Sequence, residues 1–176
     1  MEKLVINDDL YLSAPIDADK PALVQYLNDE DIYRNTLRIP NPYTEKDAED
    51  FLNQCRERRK KYGRNLSWII RRNNGEAIGC IGFQLNYGID SHRDELGYWM
   101  AKPYRGHGIM TKAIKRFCDY GFSYIGLIRI EAVVFENNKA SERILQKNGF
   151  KHEGMMKKVY EKKGHYIDGQ MYALVK

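Results

Sequence analysis

Cysteine is scarce in this sequence. Cys55, Cys80 and Cys118 are odd in number and widely spaced, with no C-x-x-C pair, which fits neither a disulfide framework nor a zinc site and suits a reducing cytoplasm. Long apolar runs are also missing. No segment approaches the roughly 18 residues that cross a bilayer, and Met1 to Asp9 has no signal-peptide core, so neither a membrane span nor export is expected. There is no internal repeat, low-complexity stretch or linker-like shift in composition, so the 176 residues, 43% of them hydrophobic, are expected to form one domain over 1–176. Two phosphate-binding signatures are absent: the G-x-x-x-x-G-K-[ST] of a P-loop and the G-x-G-x-x-G of a dinucleotide fold. Nor is there an aromatic-and-basic cluster of the kind that stacks bases, which argues against direct nucleic-acid binding. The net charge of +5 coexists with 24 acidic residues spread along the chain. It reads as solvated surface, with attraction to phosphate as the other use.

What is present is an interleaving of strand-like and helix-like periods, a mixed α/β pattern. Leu10 to Ala14 reads as a first strand ended by Pro15. Asp17 or Asp19 caps a helix through about Leu27, with Pro21 tolerated in its first turn. The 28–43 segment is polar and proline-broken and reads mainly as loop and short helix. Thr44 and Asp47 form a variant capping box opening an amphipathic helix to about Tyr62, with Ala48, Phe51, Leu52 and Cys55 on one face. Leu66 to Arg71 and Ala77 to Leu85 are strands joined at Asn73-Asn74-Gly75, a hairpin turn signal. Asp94 to Met100 is another strand, and Met110, Ala113, Ile114 and Phe117 follow at helical spacing.

Between that strand and that helix lies Arg105-Gly106-His107-Gly108-Ile109-Met110. Glycines at a helix start let the backbone approach a ligand, and the unpaired first-turn N–H groups with the helix dipole favour an anion such as a diphosphate. A tight turn alone would explain the glycines equally well. Further on, the strand Arg129 to Phe135 leads into Asn138, Ser141 and a short helix ending at Asn148-Gly149-Phe150. This second segment resembles the late motif of the GNAT acetyltransferase superfamily. The first resembles that superfamily's acetyl-CoA-binding motif, Q/R-x-x-G-x-G/A, with Met110 departing at the last position as in its RimJ/RimL-type branch.

The resemblance implies a single-domain α/β (α+β) fold: a mixed, mostly antiparallel twisted sheet of about seven strands flanked by about four helices. It implies acetyl-CoA as co-substrate, no metal, and transfer of the acetyl group to a primary amine. The diphosphate would lie on Arg105, Gly106, His107, Gly108, Ile109 and Met110, and the pantetheine arm along Trp99, Met100 and Ala101, with Asn138 contacting the arm or its reactive end. Glu95 matches a carboxylate base of several members, and a backbone N–H near Met100 would hold the oxyanion. Many members place a tyrosine seven residues after the Asn to protonate the thiolate. Leu145 stands there, so Ser141 is assigned as acid or thiol-binding group. Solvated glutamate and helix-start hydroxyl are the plain alternatives for Glu95 and Ser141.

The missing tyrosine makes the chain look more like the ribosomal-protein N-terminal acetyltransferases than the spermidine acetyltransferases. An α-amino group, with a pKa of about 7.7–8.0 against about 10 for lysine, also asks less of a base. A protein N-terminus is therefore the expected acceptor, with polyamines or small amines as the alternative. A silent acetyl-CoA or RNA-binding module is the competing class. Asp29, Glu30 and Asp31, and the basic run from Lys157 to Lys163, could flank the acceptor entrance or face water. Oligomeric state has no readable signal, and a homodimer is among the open arrangements.

Overall fold

Residues 2–176 are described by a computed structural model. They form strands β1 (Lys3–Asn7), β2 (Leu10–Ser13), β3 (Ser67–Arg72), β4 (Ala77–Phe83), β5 (Arg93–Met100), β6 (Arg129–Phe135), β7 (Lys151–Lys162) and β8 (His165–Val175). These make one sheet in the order β1-β2-β3-β4-β5-β6-β8-β7. Every neighbouring pair is antiparallel except β5 and β6. The helices are α1 (Lys20–Leu27), α2 (Glu30–Asn35), α3 (Glu45–Tyr62), α4 (Ile109–Tyr120) and α5 (Lys139–Lys147). The mixed, mostly antiparallel α/β fold is as expected. β1 lies before the first strand read from the sequence; only Leu4 in it is deeply buried and Val5 is 63% exposed, so this edge strand carries little hydrophobic pattern.

Local chemistry places the elements. Thr44 and Asp47 close a reciprocal capping box at the start of α3, with Asp47 Oδ2 accepting from Thr44 N–H at 2.7 Å, and Gly63 at φ +69° ends that helix. Asp29 caps α2 by accepting from Ile32 N–H at 3.0 Å. The β3–β4 hairpin turn falls at Asn73-Asn74-Gly75, as expected. Only Gly75 takes a positive φ, +88°, and its N–H bonds Arg72 O at 2.8 Å, so Asn73-Asn74-Gly75 is a three-residue loop.

Strand β4 is buried on both faces because helices cover both sides of the sheet. Met110, Ala113, Ile114 and Phe117 of α4 pack with Ile78, Ile81, Leu96 and Ile130 on one side. Leu23, Leu27, Ala48 and Leu52 of α1 and α3 pack with Ile69 and Cys80 on the other. A buried ion pair ties the first strands to this second layer. Arg71 grips Asp19 with two bonds of 2.5 and 2.7 Å and also donates to Ser13 Oγ at 2.7 Å, a bidentate geometry that offsets desolvation.

The feature that creates a site is the parallel pair. β5 and β6 are in register only at Arg93↔Arg129, Asp94↔Ile130 and Glu95↔Glu131. Beyond Glu95 the strands part, and the sheet opens into a cleft of about 1260 Å³.

Candidate active site

The split exposes backbone groups that a closed sheet would use. Gln84 N–H bonds Glu95 O at 3.0 Å, and Ala101 N–H bonds Ile78 O at 2.9 Å, so the β4–β5 bonds fall on 95, 97, 99 and 101. By antiparallel alternation the N–H and C=O groups of Leu96, Tyr98 and Met100 point the other way, into the split. Met100 O accepts from Arg105 Nε at 2.9 Å. The Tyr98 and Met100 N–H groups are thus placed for an extended arm or a developing oxyanion, while Ala101, fully buried, spends its N–H on β4.

At the end of β5 the chain makes a short turn, Lys102–Tyr104, buttressed from behind by Glu76. That carboxylate accepts from Tyr104 at 2.5 Å and from Tyr26 at 3.1 Å, and these bonds hold its pKa below the usual range against its partial burial. The glycine turn follows, with Gly106 at φ +84° and Gly108 at φ +73°. A Cβ at either would meet nothing within 4 Å, so the requirement is conformation and open approach, not internal packing. No side chain caps α4. Its first backbone bond is Lys112 N–H to Gly108 O at 3.2 Å, which leaves the N–H groups of Ile109, Met110 and Thr111 without a carbonyl partner in the helix. An open, uncapped helix start with two left-handed glycines fits a diphosphate.

Arg105 behaves differently from the glycines beside it. Its guanidinium pairs with Asp29 at 3.1 Å and Asp31 at 3.3 Å, which fastens α2 to the start of the turn. The acidic cluster is therefore partly a structural tie. His107 is exposed and lines a neighbouring groove with Arg72 and Lys112.

On the α5 side, Asn138 Oδ1 accepts from Ser141 N–H at 3.1 Å and so caps the helix. That leaves the Ser141 hydroxyl free of capping duty. It meets the hydroxyl of Tyr98 at 2.5 Å. Side chains alternate along β5, so Leu96, Tyr98 and Met100 face α4 and α5, whereas Glu95, Gly97 and Trp99 face α1 and α3. Glu95 is half-buried there and accepts from Asn86 Nδ2 at 2.6 Å. Burial pushes its pKa up, Asn86 pulls it down, and the charge of Glu131 raises it again. Glu131 is itself buried between Arg129 at 2.5 Å, Arg93 at 3.1 Å and Tyr87 at 2.6 Å, at the root of the split.

The outer rim on this side comes from distant segments. Arg38 donates to Gln84 Oε1 at 3.3 Å. The β7–β8 hairpin closes over α2: Lys162 donates to Thr36 O at 2.8 Å and to Tyr33 O, and lies 3.6 Å from the centre of the Tyr33 ring. Trp99, Met100, Arg105, Gly106, Gly108, Ile109, Met110, Asn138, Ser141 and Glu95 thus line one cleft. Tyr98, Arg38 and Asn86 line it too, and with Glu131 at its root they were not singled out from sequence. The strand period would have put Tyr98 on the face of the α5 helix, but nothing local marks the others.

A sheet split after one parallel pairing, with an open, uncapped helix start on one face and a half-buried carboxylate on the other, is an arrangement that suits an acyl-CoA-dependent transferase. Residues 9–151 match the acetyltransferase (GNAT) domain, and the chain belongs to that family, an acetyltransferase with acetyl-CoA as donor. It is 39% identical over 114 residues to the uncharacterized N-acetyltransferase YoaA of Bacillus subtilis, a match spanning 64% of each chain and so just under two thirds of YoaA. It is 31% identical to the uncharacterized N-acetyltransferase p20 of Bacillus licheniformis over 90% of this chain and 88% of that one. Among solved structures it is similar to RimL, the ribosomal L7/L12 α-N-protein acetyltransferase in complex with coenzyme A. The TM-score is 0.87 at 22% identity, over 99% of this chain and 98% of that one. Among the described residues no cluster of side chains could hold a metal ion, and no helix is long and apolar enough to cross a membrane.

Proposed function

We propose that the acceptor is the N-terminal α-amino group of a protein, in the first instance a ribosomal one. The observation that carries this reading is Glu95, a half-buried carboxylate on the acceptor face of β5 with its pKa raised by burial. A base so tuned matches an α-amine of about 7.7–8.0 far better than a lysine of about 10.4. The name of RimL supports the same choice.

Acetyl-CoA supplies the thioester. The N–H groups at the start of α4 hold its diphosphate, those of Tyr98 and Met100 receive the arm and the carbonyl oxygen, and Glu95 accepts the amine proton, directly or through water, as the new N–C bond forms. Ser141 is the thiol-binding group. The cytoplasm is the proposed location, a homodimer is compatible with the open β7 edge, and no RNA contact is required.

One observation favours a second reading. Arg38, at the acceptor rim, is exposed and has no carboxylate within ion-pair distance among the described residues. A small amine bearing a carboxylate would satisfy it, whereas a polyamine would be repelled.

The test is acetyl-CoA-dependent thiol release with Ser- or Ala-initiated peptides, the same peptides blocked, free amino acids and spermidine. Turnover of free-N-terminus peptides alone supports the main reading. Preference for amino acids, abolished by Arg38→Glu, supports the second, and preference for spermidine removes both.

A further inference from the structure

Leu145, which occupies the sequence position of the familiar tyrosine acid, is wholly buried in the core and cannot reach the cleft. A different tyrosine, Tyr98 on β5, lines the cleft and meets Ser141 there. We propose that Tyr98 is the positioning residue for Ser141: the phenol donates to Ser141 Oγ and so directs the serine proton at the sulfur of the bound thioester. The proposal rests on the reading of Ser141 as the thiol-binding group.

Three observations carry it. The hydroxyl oxygens lie 2.5 Å apart. Asn138 already caps the helix through the Ser141 N–H, so the Ser141 hydroxyl has no backbone duty to perform. Tyr98 is held on β5 while Ser141 sits on the first turn of α5, so the pair joins the two walls of the cleft. A phenol is the stronger acid of the two and takes the donor role, and a chained donor is polarised by its neighbour. Burial pushes the Tyr98 pKa up to about 12, so the phenol stays protonated at neutral pH. Its other titratable neighbour is Cys118 on α4, itself kept protonated by burial.

No proton leaves the pair during transfer. The N–C bond forms, the amine proton goes to Glu95, and the C–S bond breaks with its electron pair going to sulfur. The Ser141 O–H, held by Tyr98, stabilises that charge as a hydrogen-bond donor. The sulfur takes its proton from solvent as it departs. A serine free to rotate would aim at sulfur only part of the time.

The experiment titrates the thiol of coenzyme A bound to the full chain, followed by thiolate absorbance in the ultraviolet, and needs no acceptor. With wild type the bound thiol should titrate about one unit below its value in free coenzyme A, meaning about tenfold tighter binding of thiolate than of thiol. Tyr98→Phe should move it most of the way back, to the value of Ser141→Ala, and the double variant should match Ser141→Ala alone. In turnover, Tyr98→Phe should lower kcat about tenfold with an unchanged KM for acetyl-CoA. Affinity for desulfo-coenzyme A, which lacks the sulfur, should stay within about twofold throughout, reporting an intact cleft. If Ser141→Ala moves the thiol and Tyr98→Phe does not, Tyr98 merely packs and the proposal falls while the Ser141 reading stands. If neither moves it, both fall. Additive effects, or loss of desulfo-coenzyme A binding in Tyr98→Phe, also overturn the positioning role.

Discussion

The two faces of the β5–β6 split, donor and acceptor faces in the function proposed above, are built by different means. On the donor face the groups are mainly backbone: the open N–H groups of Tyr98 and Met100, the uncapped start of α4 and the left-handed glycines Gly106 and Gly108. On the acceptor face they are side chains from separate segments: Arg38 after α2, Gln84 and Asn86 between β4 and β5, Glu95 on β5, and the β7–β8 hairpin tip. Backbone recognition tolerates many side chains but demands particular φ angles, so it leaves glycines in the sequence. Side-chain recognition assembled from distant loops leaves no local pattern, and it is free to change acceptor while the donor site stays as it is.

The sharpest way to separate the faces is Glu95→Gln. Loss of the base should lower kcat by about 100-fold to 10,000-fold, while coenzyme A affinity, set on the other face, stays as in wild type. Calorimetry beside initial rates checks both halves, and a parallel loss of coenzyme A binding would show that the faces are not independent. The same variant has a stability signature. Burial raises the folded-state pKa of Glu95 above its unfolded value, so the charged form costs stability above the raised pKa, and the cost disappears below the unfolded value of about 4.3. Glu95→Gln should therefore melt higher than wild type at neutral pH, with the difference closing as pH falls through that window.

The converse break is Gly108→Val. A β-branched residue at φ +73° is strained by about 1–3 kcal/mol, and its side chain projects into the open space before the helix start. Coenzyme A affinity should fall by about 10-fold to 100-fold, with acceptor KM little altered at saturating donor. Equal weakening of both ligands would sink the idea that the turn serves the donor alone.

This asymmetry also explains what was legible beforehand. Thr44 and Asp47 announced α3, Gly106 and Gly108 announced the turn that opens α4, and Asn138 with Ser141 announced the start of α5, because each reports a local backbone constraint that spacing reveals. Asn73-Asn74-Gly75 announced a turn but not its length, since whether one or two residues adopt positive φ depends on the strands it joins. Arg105 was legible as a cation but not as the partner of Asp29 and Asp31, more than seventy residues earlier in the chain. Tyr98 reads as one more apolar-face residue of a strand until α5 brings Ser141 against it. Glu131 sits in a β-type run where a charge has no local reason. Its reason is the register Glu95↔Glu131, which exists only once the parallel pair has formed.

That register yields the smallest of the expected effects and the most specific. Glu131 raises the pKa of Glu95 by like-charge repulsion, and its own negative charge is kept by Arg129, Tyr87 and Arg93, which hold its pKa low despite burial. Glu131→Gln removes that charge and leaves Arg93 without a carboxylate, while Arg129 keeps Glu153, and both the lost repulsion and the freed Arg93 charge favour the ionised form of Glu95. In the proposed role of base Glu95 acts only when ionised, so the acid limb of kcat should move to lower pH, by about half a unit to one unit. The rate should therefore be several-fold higher than wild type on the acid side and indistinguishable on the plateau. A limb that stays in place would mean that another group sets it. A limb that moves upward would mean that the arginines turn away once Glu131 is neutral, so that the root of the split positions Glu95 by packing instead of by charge.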